Sequence, residues 1–63
     1  MSKNVDEKKF IILEAAKKRF AHFGMAKTTM AEIAKDLSFS KALLYYYFTD
    51  KHSLYLAVLD FVI

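Results

Sequence analysis

Lys41, Tyr45, Tyr46 and Lys51 are the residues of this chain whose chemistry is hardest to absorb into packing alone. Tyr45, Tyr46, Tyr47 and Phe48 are consecutive. On a helix each residue turns about 100° from the last, so the four rings spread round the axis and cannot all be buried. If Leu44, Tyr47 and Phe48 face inward, then Ala42, Tyr45 and Tyr46 face outward, flanked by Lys41 and Leu43. Such a face offers an ammonium, a methyl group and two phenols. Lysine can donate to guanine O6 and N7, a small apolar group can meet a thymine methyl, and tyrosine hydroxyls can bond phosphates. The alternative is that one of the two tyrosines packs on the following helix. Lys51 falls in the first turn of that next helix, where the macrodipole disfavours a cation by roughly a few tenths of a kcal/mol. A phosphate there would meet both free amides and the ammonium; a solvated lysine is the plain alternative.

These side chains need short helices to hold them, and the sequence marks their ends. A first helix is expected over about residues 6–23, with Ile12, Ala15, Ala16, Phe20 and Phe23 on one stripe of a 3.6-residue period. Gly24 ends it, being able to take the left-handed conformation after the C-cap, and Met25 is placed to fold back on Phe20. Thr29 and Glu32 have the spacing of a capping box and open a second helix carrying Ile33, Ala34 and Leu37 inward. Ser38, Phe39 and Ser40 form a three-residue turn, and Ser40 caps a third helix over about 41–48. Asp50 caps a fourth, from Lys51 onward. Two short helices joined by so short a turn make a helix-turn-helix at about 29–48, a unit that can set its second helix in the major groove of DNA. Ala34 is the small residue at the crossing, Phe39 plugs the turn, and Leu44 and Tyr47 point back into the corner. Any helical hairpin with apolar facing sides would share part of this pattern.

Composition narrows the classes. The chain has 63 residues, is 56% hydrophobic, and contains one glycine and neither proline nor cysteine. That favours an all-α fold, a small helical bundle made of a homeodomain-like three-helix unit plus the start of a fourth helix. It excludes a disulfide staple and a thiolate metal site. Net charge is +3, which suits a nucleic-acid partner and suits an ordinary basic surface as well. An enzyme is not expected. His22 and His52 are the only histidines, and neither has a carboxylate or nucleophile at a catalytic or metal-binding spacing. No cofactor, metal or membrane partner is expected. Lysines scattered over four helices do not make the basic face of a membrane-surface helix. A small protein-interaction domain is the competing class. The polar start and the short apolar stretch at 10–13 do not make a signal peptide, so a cytoplasmic location is the default.

Taken together, 12–24, Thr28-Thr29, Ile33-Ala34, Ser40-Lys41, Leu44-Tyr45-Tyr46-Tyr47-Phe48, Lys51 and Leu54 resemble the N-terminal DNA-binding domain of TetR-type transcriptional regulators. The likeness covers about residues 8–60, and the run from Leu44 to Lys51 is its most specific part. It implies a homodimer on a palindromic operator, usually a repressor released by a small-molecule effector. Carried over by position, it sets Thr28, Thr29 and Met30 near phosphates at the start of the second helix. Ser40 and Tyr45 then contact the DNA backbone, Lys41 and Ala42 approach bases, and Leu43 borders them. Tyr46 packs on sugar, thymine methyl or phosphate, and Tyr47 and Lys51 reach phosphates. Tyr47 stays open, since its offset also reads as core; its ring can pack while its hydroxyl reaches out.

Two positions depart from the family pattern. Ser38 stands where the turn usually has glycine, and a positive φ there would strain a serine by about 1 kcal/mol. Ala42 stands where glycine often lets the backbone approach the bases, so base preference is not borrowed from relatives. Residues 1–50 are read as the DNA-binding domain and 51–63 as a fourth helix leading to a C-terminal ligand-binding and dimerisation domain that this chain lacks. Nine of the residues 54–63 are apolar, which is too short a run for a membrane span. Leu54, Val58 and Phe61 can pack on the first helix, while Leu56, Leu59 and Ile63 need another partner. The expectation is that the chain is part of a longer regulator.

Overall fold

Residues 3–62 are described by the computed structural model, and side chains within 7–61. They form four helices: α1 (Lys3–Phe23), α2 (Met30–Lys35), α3 (Lys41–Tyr47) and α4 (Lys51–Val62). The all-α architecture is the one expected. α1 begins earlier than the expected start near Asp6, and Ile63 lies outside the described residues.

Each corner has a local chemical cause. Gly24 has φ +89°, the one described residue in the left-handed region, and its amide donates to the Phe20 carbonyl at 2.9 Å. Ser38 therefore avoids the strain that a positive φ would have brought. At the head of α2 the capping box is complete. The Glu32 amide donates to Thr29 Oγ1 at 3.1 Å, and the Thr29 amide donates to Glu32 Oε1 at 3.0 Å. The Leu43 amide donates to Ser40 Oγ at 3.3 Å, opening α3. The Ser53 amide donates to Asp50 Oδ1 at 2.8 Å, opening α4.

One core joins the four helices. Ile12, Leu13 and Ala16 of α1 meet Met30 and Ile33 of α2, Leu44 of α3 with Phe48 beyond it, and Leu54 and Val58 of α4. Ala34, Leu37, Phe39, Tyr47 and Phe61 pack against this cluster as half-buried neighbours. α1 is held to α4 by two edge-to-face ring pairs, Phe10–Phe61 at 5.3 Å and Phe20–Tyr55 at 5.5 Å. Phe20 thus packs on α4. Phe23 departs from the expected stripe: it is 51% exposed, because the period continues past the last partner helix, and the Arg19 guanidinium covers its ring instead.

Arg19 also ties α1 to the end of α2. Its Nε and Nη2 donate to the two carboxylate oxygens of Asp36 at 2.7 and 3.0 Å. That paired bond holds the Asp36 carboxyl below its usual range, and the Ser53 amide and hydroxyl do the same for Asp50. Both groups bind protons less readily folded than unfolded. Their stabilisation is complete above the ordinary carboxylate range and is lost as pH falls through the folded-state pKa values. Thermal midpoints measured from pH 7 down to pH 3 should fall on the acid side, and Asp36→Asn should shrink that fall. An acid limb unchanged by Asp36→Asn would remove the ion pair from the account.

Candidate nucleic-acid interface

α3 is seven residues long, too short to be stable as an isolated helix. Its place comes from Leu44, fully buried, and Phe48, 7% exposed, which anchor one side in the core. The Phe48 amide closes the helix on the Leu44 carbonyl at 3.0 Å. Anchoring that side turns Lys41, Ala42, Tyr45 and Tyr46 to the surface. Tyr46 is 79% exposed and Tyr45 39%, so neither is absorbed by α4. Leu43 and Tyr47 are half-buried at the edges of this face. Tyr47 packs on the core while its ring meets Tyr46 edge-on at 5.4 Å.

Ser40 and Thr29 are both exposed. Each hydroxyl oxygen accepts one amide from its own helix, which leaves the hydroxyl hydrogen as a donor. The other two residues expected at the start of α2 are placed differently. Thr28 is fully buried, and its hydroxyl donates to the Gly24 carbonyl at 2.8 Å. Met30 is 8% exposed and belongs to the core. Their side chains build the corner, and Thr29 alone of the three presents its side chain outward. The sequence hid this because burial there depends on the turn bringing the Thr28 side chain back to the carbonyls at the end of α1.

Lys51 shows the largest difference between expectation and structure. Its ammonium donates to the Met25 carbonyl at 2.9 Å, joining the start of α4 to the turn after α1. The first-turn amide of Ser53 is already engaged by Asp50. An anion at this end would therefore meet the ammonium, which has two further N–H donors, more than free amides. Nothing in local spacing could signal a bond between residues so far apart in the chain.

The arrangement is that of a helix-turn-helix DNA-binding domain: two short helices through a tight turn, the second with an anchored side and an outward side of lysine, methyl and phenol. The sequence model described as bacterial regulatory proteins, tetR family, matches residues 12–58, and the chain belongs to that family. It is 45% identical over 58 residues to the HTH-type transcriptional regulator RutR of Escherichia coli strain K12, covering 92% of this chain and 27% of that protein. It is 42% identical over 55 residues to the uncharacterized HTH-type transcriptional regulator YuxN of Bacillus subtilis strain 168, covering 87% of this chain and 19% of that protein. The chain thus spans about a quarter or less of the length of these relatives. No solved structure gives a significant match. These relatives are transcriptional regulators, a class that is not enzymatic. Among the described residues no helix is long and apolar enough to cross a membrane.

Proposed function

We propose that this chain reads a palindromic operator as one half of a homodimer, in a repressor released by a small-molecule effector. The observation that supports it is the sided α3. Leu44 and Phe48 are buried while Lys41, Ala42, Tyr45 and Tyr46 are exposed together on a helix of groove-fitting width. In this reading Lys41 and Ala42 meet base edges, with Leu43 beside them. Thr29, Ser40, Tyr45, Tyr46, Lys51 and the Tyr47 hydroxyl lie along the phosphates. Thr28 and Met30 serve only to set the angle. The homodimer, the repression and the effector rest on resemblance to the family. So does the division into a DNA-binding part at 1–50 and a fourth helix at 51–63 that leads to a dimerisation and effector domain. A cytoplasmic location goes with a genomic target.

A salt titration of binding to selected duplexes tests the reading. Affinity should fall steeply, with a log–log slope of about −0.9 for each phosphate contact. Lys41→Ala should lower affinity and also alter which bases are preferred, relaxing discrimination by about 1–3 kcal/mol at the contacted pair. Equal losses on specific and random duplexes would remove Lys41 from the bases. No binding to any duplex at low salt would overturn the whole reading.

A further inference from the structure

The 24–28 turn is fixed at both ends by bonds that α-helix formation does not require. Thr28 is buried and its hydroxyl donates to the Gly24 carbonyl at 2.8 Å. The Met25 carbonyl accepts the Lys51 ammonium at 2.9 Å, with the Thr28 amide at 3.4 Å. Between these two pinned residues stands Lys27, exposed. Two residues further along the chain is Thr29, also exposed. A flexible lysine on a loose loop would be ordinary; this one stands in a turn tied at Met25 and at Thr28. The turn is also tethered to Lys51, which brings its ammonium to Met25, two residues before Lys27 in the chain.

We infer that Lys27 is a further phosphate-contacting residue, forming with Thr29 and Lys51 one clamp on a single stretch of DNA backbone. The inference rests on the DNA-binding reading above. The carboxylates nearest in sequence to these cations, Glu32 and Asp50, are each held at a helix start, Glu32 by the Thr29 amide at 3.0 Å and Asp50 by the Ser53 amide at 2.8 Å. When α3 enters the major groove, the first helix of the unit crosses the backbone, which brings the head of α2 and the turn before it to the phosphates. Lys27 reads no base from there. Its effect is on affinity for every sequence alike.

The test compares Lys27→Gln, Lys27→Arg and Lys17→Gln in the full-length protein, using a selected operator duplex and a random duplex across 50–200 mM salt. Lys17 is an exposed lysine on α1 and serves as the charge control. Lys27→Gln should reduce the salt slope by about 0.9 per bound protomer. The salt-induced loss of affinity over that range then shrinks by about three- to fourfold for each bound protomer, or roughly twelvefold for a dimer, equally on both duplexes. Lys27→Arg should keep the wild-type slope, and Lys17→Gln should leave it unchanged. An unchanged slope in Lys27→Gln overturns the inference, as does an equal drop in Lys17→Gln or a loss confined to the selected duplex. If the wild-type protein itself binds no duplex, the DNA-binding reading has failed and not the placement of Lys27.

Discussion

Leu44→Ala should remove at least about a quarter of the domain's stability and, at the upper end of the cost, abolish the fold at 25 °C. Leu44 is fully buried in the core cluster to which all four helices contribute. Truncating such a leucine costs about 2–5 kcal/mol, because the cavity left behind closes only in part. Stability of about 0.05–0.15 kcal/mol per residue gives a chain of this length roughly 3–9 kcal/mol in total. The substitution therefore removes between a quarter and all of it. It also removes the anchor that turns Lys41 and Tyr46 outward, so DNA binding should vanish with the fold. A thermal melt followed by circular dichroism checks this. A midpoint lowered by less than about 10 °C would mean that Leu44 does not hold the core together.

Lys51→Met should weaken DNA binding on every sequence and destabilise the domain at the same time. Methionine keeps much of the apolar stem but cannot donate, so the Met25 carbonyl loses its 2.9 Å partner. Hydrogen bonds to charged groups contribute about 1.5–3 kcal/mol, and the part-buried setting of this one places it near the lower end. One phosphate contact is lost as well in each protomer, which should lower the salt slope by about 0.9 per bound protomer. Lys51→Arg separates the two roles. Its wider guanidinium can still meet a phosphate but does not repeat the point contact to the carbonyl, so it should recover the slope better than the stability. If Lys51→Met melts like the wild type, the bond to Met25 carries no weight. If its salt slope is unchanged, Lys51 does not touch the phosphates.

Much of the fold was legible because its corners are made by neighbours in sequence. Thr29 with Glu32, Ser40 with Leu43, Asp50 with Ser53 and Gly24 with Phe20 all act within four residues of each other. Residue type and spacing are enough to read such contacts. Leu44 and Phe48 were legible for a related reason: helical geometry allows few ways to distribute four adjacent rings. Contacts that close over long stretches of chain were not. Arg19 finds Asp36, and Lys51 finds Met25, only once α1, α2 and α4 are packed. Leu13, 7% exposed, was missed on α1 because a single stripe drawn through Ile12 and Ala16 is narrower than the real contact with two helices. Phe23 was misjudged in the opposite sense, since periodicity does not say where the partner helix ends. The outward face of α3 is legible from helical geometry, whereas the burial of Thr28 and Met30, which the family resemblance sets near phosphates, is not visible from position alone.

The way α3 is held separates two kinds of information. Leu44, Phe48 and Ser40 fix where the helix lies, and Lys41, Ala42, Tyr45 and Tyr46 contribute little to that. Exposed positions of this kind tolerate exchange within about 0.5 kcal/mol. A gene duplicate of this protein could change its address on the chromosome one surface residue at a time without passing through an unfolded intermediate. An engineer could do the same, randomising those four positions while leaving the scaffold untouched.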